Sequence, residues 1–456
     1  MRSLRFALAL TLVSASAHAR VVQVATPAEL TAAITAAVAG DEIVLADGTY
    51  VLTGATCSAV GTAAMPIVVR AANAKAAKIE FNGAEGFKVT GAYWTFDGLD
   101  IKGVCAADST CEHAFHVSGA AHHFVLRNSR VMDFNAQLKA NASMIGAGYV
   151  TPNNGLIENN EIADTRARNT SNPVTKLNID TGEDWVIRSN YIHDFEKQQN
   201  DYVSYGAFFK SGSKRGIMER NLVICSTAST SGYRIGLSLG GGGTAPQFCA
   251  PAYNAGTPCS IEHTGGIIRN NIVVNCSDVG IYLNKATDSH LLYNTLIETT
   301  GIDFRYAAST GEAVGNVLSS IIRNREGGTS TQTANVENVI LGMFQMWYRM
   351  PLTGDLHVTG GVGTLIGQGP SDPLVTDDYC GRPRPAGALT IGALEHSLGS
   401  CETTNPTTDA GVGGDAGTDP GESSEGCGCR TSGGAGALIP FSVVALALGV
   451  RRRRRR

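Results

Sequence analysis

Polar, charged and aromatic side chains recur at alternate places in a set of short strand-like phrases. These phrases run Phe87 to Thr90, Phe115 to Ser118, Leu177 to Asp180, Ala207 to Lys210, Leu237 to Gly240, Ile281 to Asn284 and Ile302 to Arg305. The first and third places are apolar in every copy, so strand alternation turns the other two outward. The outward stripe then reads Lys88, Thr90, His116, Ser118, Asn178, Asp180, Phe208, Lys210, Ser238, Tyr282, Asn284, Asp303 and Arg305. Its only paired acids are Asp180 and Asp303. They stand four aligned coils apart, about 19 Å at one strand spacing per coil, beyond the roughly 6.5–9.5 Å of an inverting glycosidase pair. Elimination next to a carboxylate instead needs a base, a cation to offset the carboxylate and a proton donor to the leaving oxygen. Lys210, Arg234 or Arg305, and Tyr282 have the right chemistry for those roles. A cation such as Arg234 near Lys210 would lower the lysine pKa and make it a usable base. His116, Asn178, Asp180, Phe208, Ser238, Asn284, Asp303 and Arg305 are expected to bind an extended ligand. Phe208 and Tyr282 are suited to stacking on sugar rings.

Other chemistries lack their motifs. Paired histidine ligands, a Ser-His-Asp pattern, a Walker loop and a dinucleotide fingerprint are not found, so no metal ligands are assigned. Gly240 to Gly243 is glycine-rich, but no helix start follows it, as a phosphate cradle would require. His263, after Glu262, reads as a structural residue.

The elements that must hold the stripe repeat along the chain. A short strand and a turn are followed by Asn (or a small residue) and, two places after it, an aliphatic. Asn160, Asn190, Asn221, Asn271, Asn294 and Asn316 mark successive copies, with Gly98 and Ser129 in the same place earlier. Such a period means a β-solenoid, with the asparagines stacked as a hydrogen-bonded ladder at a tight bend. The expected fold is all-β, a single-stranded right-handed parallel β-helix over residues 20–330. An amphipathic helix caps its N-terminus, because an open first coil would expose the interior. Thr26-Pro27-Ala28-Glu29 supplies the N-cap and capping box, Leu30, Ile34 and Val38 the apolar face, and Gly40-Asp41 the stop. Residues 331–401 are expected to cap the other end.

The termini address the chain. Arg2 and Arg5, the apolar stretch Phe6 to Val13 and Ala17-His18-Ala19 form an export signal over residues 1–19. Residues 402–426 read as a disordered spacer. Residues 427–456 carry Cys427-Gly428-Cys429, a short apolar run and Arg451 to Arg456. This order resembles the C-terminal sorting signal of myxobacterial surface proteins, which implies a secreted protein held at the outer cell surface through its processed tail. Losing Arg2, Arg5, Arg430 and the six terminal arginines takes the net charge from −4 to −13. An acidic body disfavours nucleic acid; a monomer acting on polysaccharide is expected. Export makes disulfides plausible. Cys105 and Cys111 flank a short loop, as do Cys249 and Cys259. Cys225 and Cys276 end similar strands, Cys380 and Cys401 bracket the C-terminal cap, and Cys57 is left over.

The N-terminal cap, the strand from Ala63 to Arg70 and the coil phrases resemble polysaccharide lyase family 6, the chondroitinase B and alginate lyase group. The resemblance covers about residues 22 to 320. It implies an uronate-cleaving lyase in which a strand lysine removes a proton, an arginine one coil later assists and calcium neutralises the carboxylate. Phe209-Lys210-Ser211 matches the family's lysine phrase, so Lys210 takes the base role. The family arginine falls on Gly240, and the calcium glutamates fall on Tyr205 and Val203. Asn178 and Asp180 are the remaining oxygens for a calcium ion, and a single carboxylate is thin for one. The losses also point to a second reading, a non-catalytic glycan-binding or adhesion module.

Overall fold

Short phrases with apolar residues at alternate places bury one face each, and repeats of such phrases stack as parallel strands around a shared interior. The computed structural model describes residues 20–227, 231–241 and 244–401. The export segment, the spacer and the tail lie outside the described residues. Each coil visits three parallel sheets in turn, of 12, 10 and 10 strands. The first runs from Val21–Val24 to Thr329–Thr333, the second from Gly48–Leu52 to Val317–Leu318, and the third from Ala55–Cys57 to Ile322–Arg325. The chain is therefore a parallel β-helix. The interior holds the first and third places of every phrase, with aromatic rungs stacking along the axis. Phe87 and Phe115 lie 5.3 Å apart, and Phe96 and Phe124 5.8 Å.

Thr26 caps the helix Pro27–Thr35, and Glu29 closes the capping box. Leu30 and Ile34 are buried, but the helix stops at Thr35 and Val38 is 57% exposed. The apolar face is thus one turn shorter than expected, because the chain must turn at Gly40 (φ +88°) to enter the strand Glu42–Leu45.

The asparagine ladder forms at the bend between the first two sheets. Each Nδ2 donates to the next Oδ1: Asn160 to Asn190 at 3.0 Å, Asn190 to Asn221 at 3.1 Å, Asn221 to Asn271 at 2.9 Å, Asn271 to Asn294 and Asn294 to Asn316 at 3.0 Å. Asn335 adds a further rung at 2.9 Å. Asn221 also donates to the Ile187 carbonyl and accepts from the Asn190 amide. Asn221→Leu leaves several of these buried groups unpaired and is expected to destabilise the fold by about 1–3 kcal/mol in urea unfolding.

The second sheet carries apolar residues on its outer face too: Leu222, Ile224, Ile272, Val274, Ile297 and Val317. Such a face must be covered. The segment after Asn335 lies on it, burying Phe344, Trp347, Tyr348, Tyr379 and Ile391. This segment therefore runs along the flank of several coils instead of closing only the last one. Disulfides join Cys105–Cys111, Cys225–Cys276, Cys249–Cys259 and Cys380–Cys401, and Cys57 is free and buried.

Candidate functional site

The third sheet orders the outward stripe, and it contains a strand that the phrase alignment passed over. Ala136–Asn141 lies between His113–Ser118 and Val174–Asp180. Its outward lysine, Lys139, is in register with His116 on one side and Asn178 on the other. The ladder step from Ser129 to Asn160 implied a complete coil there, and Leu138-Lys139-Ala140 repeats the phrase; those were the available signals.

Lys139 stands at the centre of a charged cluster. Its ammonium donates to Asp180 Oδ2, and to Asn178 Oδ1 at 3.2 Å. Lys210 reaches the other oxygen of Asp180 at 3.4 Å and lies 5.0 Å from the centre of the Phe208 ring. Burial lowers the Lys139 pKa; Asp180 opposes that shift and the neighbouring Lys210 charge adds to it. Burial works against the charge on Asp180, but the two ammoniums outweigh it and hold the carboxylate below its ordinary range.

Beside this cluster is a cleft of about 270 Å³, lined by His113, His116, Lys139, Asn141, Tyr149, Asp180, Phe248 and Tyr253, among others. Its walls are two insertions. The hairpin Ser143–Ile145 and Gly148–Val150 follows Asn141 directly. The loop after Gly240 is tied by Cys249–Cys259 and by the Ala250 amide on the Ser211 carbonyl, and contributes Phe248 and Tyr253 to the cleft. The two meet where Tyr149 stacks on Tyr253, with ring centres 4.2 Å apart. The Tyr253 hydroxyl is buried beside Thr181, and burial raises its pKa, so it stays protonated.

At the far wall, His116 Nδ1 lies 2.6 Å from a Glu85 carboxylate oxygen, and His113 Nδ1 lies 3.8 Å from the same oxygen. The pull of His113, then of His116, draws the Glu85 carboxyl down to about 2. Where the sequence offers no paired-histidine motif, the structure sets His113 and His116 beside Glu85. Glu85 and His113 are in register on adjacent strands, and only the coil brings them together.

The remaining residues divide by position. His116 and Asp180 line the cleft, and Asn178 holds Lys139. Phe208 is buried beneath Lys210 rather than open to stack on a sugar. Arg234 is in register with Ser204, six residues before Lys210, or about 20 Å along an extended strand. It is buried and paired with Glu196 at 3.4 Å, away from the Lys210 ammonium. Tyr282 lies two strands beyond Phe208, packed with Ile235 and Val279, and its hydroxyl accepts from Arg305 at 3.0 Å. Ser238 is buried with its hydroxyl on the Gly240 and Tyr282 carbonyls, and Asn284 is buried beside Arg305. Asp303 is fully buried between Arg323 and Arg325, and Arg305 pairs with Glu326. The C-terminal half of the stripe is thus an internally satisfied network, whereas the N-terminal half opens into the cleft. His263 is interior: its Nδ1 donates to Ser213 Oγ at 2.8 Å, its Nε2 accepts from the Gly216 amide, and burial lowers its pKa to about 3.

Two family features meet physical obstacles. A Cβ at Gly240 would lie 1.9 Å from the Asn284 carbonyl oxygen, so no arginine can stand there. The positions of the calcium glutamates, Val203 and Tyr205, pack against the apolar cluster of Ile235, Val279 and Tyr282. The oxygens of Asn178 and Asp180 already hold the Lys139 ammonium. These residues do not fit calcium.

The chondroitinase B family model matches residues 24–197 of this chain. That segment contains Glu85, His113, His116, Lys139 and Asp180 and ends before Lys210. No curated protein matches in sequence. Among solved structures, the chain is similar to pectate lyase Pel9A, with 14% identity over 82% of this chain and 96% of that one, and a TM-score of 0.52. An alginate lyase from Paenibacillus sp. str. FPU-7 aligns at 16% identity over 70% and 96%, with a TM-score of 0.40. The fold is that of the parallel β-helix lyases. The chain itself is a lyase-like β-helix protein with a chondroitinase B-like segment.

Proposed function

We propose that this protein is a polysaccharide lyase that cleaves uronate-containing glycans by β-elimination, and that Lys139 is its base. The observation that carries the reading is a largely buried lysine of lowered pKa, fixed by Asp180 and Asn178 at the edge of a cleft that also holds a buried tyrosine hydroxyl. Neutral Lys139 takes the proton next to the uronate carboxylate. The C4–O bond breaks as the C4–C5 double bond forms, and Tyr253 gives its proton to the leaving oxygen. Lys210 is a nearby cation able to offset the carboxylate charge. The stripe's acids are too far apart for a glycosidase pair: Asp180 and Asp303 are four strands apart, and Glu85 and Asp180 three, or about 14 Å. Alginate, chondroitin, dermatan and pectin should be offered in turn, following ultraviolet absorbance of the new double bond. At least one is expected to be cleaved. Binding without turnover across the panel would support the second reading, a glycan-binding surface module, which the Gly240 obstacle favours.

The terminal segments support placing this activity at the outer cell surface, through the export signal and the processed tail. Deleting Gly426 to Arg456 is expected to release folded protein into the medium; retention on fractionated cells would show another anchor.

A further inference from the structure

Glu85, His113 and His116 place two nitrogens and a carboxylate at one end of the cleft, each offering a donor atom within 4.8 Å of the others. We propose that they form a binding site for one divalent transition-metal ion, of the zinc, cobalt or manganese class. Metal–nitrogen and metal–carboxylate bonds of about 2.0–2.2 Å put tetrahedral donors roughly 3.3 Å apart. The separations here, 2.6 Å from His116 Nδ1 to Glu85 Oε1 and 3.8 Å from His113 Nδ1 to the same atom, lie on either side of that value. Small rotamer adjustments of the three side chains would complete the geometry.

Two hydrogen-bonding facts point to a cation. His113 Nδ1 is buried and faces Glu85 Oε1 at 3.8 Å, beyond a hydrogen bond of ordinary length. His116 stands between two acceptors: Glu85 Oε1 on Nδ1, and Asn141 Oδ1 on Nε2, each at 2.6 Å. The Asn141 amide is fixed by its Nδ2 donating to the Ala142 carbonyl at 2.8 Å, so its oxygen must face the ring. Nε2 therefore donates to Asn141, and in the singly protonated ring that a metal requires, Nδ1 offers its lone pair toward the carboxylate. A metal ion between them resolves that contact, and Asn141 then plays the outer-shell part that orients a ligating histidine. The ligands stand on two adjacent strands of a rigid sheet, which pre-organises them. Lys139, in register with His116, is turned away onto Asp180 and Asn178. Two histidines and one carboxylate leave coordination positions open, and the site borders the cleft. Metal binding does not depend on the lyase reading.

The full chain, made without a polyhistidine tag and stripped with chelator, is titrated with Co²⁺ while visible absorption is followed, and then with Zn²⁺ as competitor. One Co²⁺ per chain with d–d absorption, displaced by Zn²⁺, is expected. His113→Ala and His116→Ala should abolish that absorption, Glu85→Gln should weaken it, and Asn141→Ala should lower affinity about 10–100-fold. Far-UV circular dichroism checks each fold, and the near-isosteric Glu85→Gln keeps the test open if a histidine variant fails to fold. No absorption in the parent chain, or equal absorption in the parent and Glu85→Gln, overturns the site.

Discussion

Lys139→Ala should lower kcat on the cleaved glycan by about 10²–10⁴-fold, the usual contribution of a positioned general base, while glycan binding is retained. The lysine acts in its neutral form, so the parent rate should rise with pH through the Lys139 pKa, which burial sets below the ordinary 10.5. Arginine at this position stays charged and should not restore turnover. Lys210→Ala is the comparator. It removes a charge from the other side of Asp180 and should cost less than Lys139→Ala. Initial rates of double-bond absorbance from neutral to alkaline pH decide the matter. An unchanged rate in Lys139→Ala together with a lost rate in Lys210→Ala would return the base to the lysine of the family phrase. Stability carries the same signature. The unfolded chain binds the Lys139 proton up to a higher pH than the folded one, so stability should rise with pH from the folded pKa to the ordinary value. Lys139→Met should flatten that rise.

Lys176→Met should destabilise the fold by about 3–5 kcal/mol, the penalty for stripping one partner from a fully buried ion pair. Lys176 and Asp164 are both completely buried and 2.6 Å apart. Lys176 also donates to the Phe134 carbonyl at 2.8 Å, and Gln137 donates to the other oxygen of Asp164 at 3.2 Å. Burial raises the Asp164 pKa and lowers that of Lys176, each resisted by the partner's charge. This pair anchors the strand Val174–Asp180, which presents Asn178 and Asp180 to Lys139. Urea midpoints measure the loss. Asp164→Leu combined with Lys176→Met removes both charges and should recover most of it. A single variant as stable as the parent would show that the pair does not hold this strand.

The sequence by itself determined the coil. A period-two pattern with asparagine at each bend has one economical outcome, because every phrase needs a neighbour to bury its apolar face and every ladder asparagine needs another to satisfy its amide. The N-cap, the ladder order and the outward stripe were legible for that reason, since each rests on contacts between neighbouring coils at regular spacing. The site was less legible. Lys139 sits in a phrase passed over because its outward partners belong to coils tens of residues away. The cleft depends on a hairpin and a disulfide-tied loop whose meeting at Tyr149 and Tyr253 has no periodic signal. Only the tertiary structure decided that Arg234 lies far along its strand, that Tyr282 and Asp303 are spent on internal pairs, and that Gly240 excludes a side chain. It also decided that Lys139 fills the oxygen pocket left for a cation. Alternation says which way a side chain leaves the sheet. What it meets there depends on loops and charges from other coils, and those distances are set only when the chain has wound.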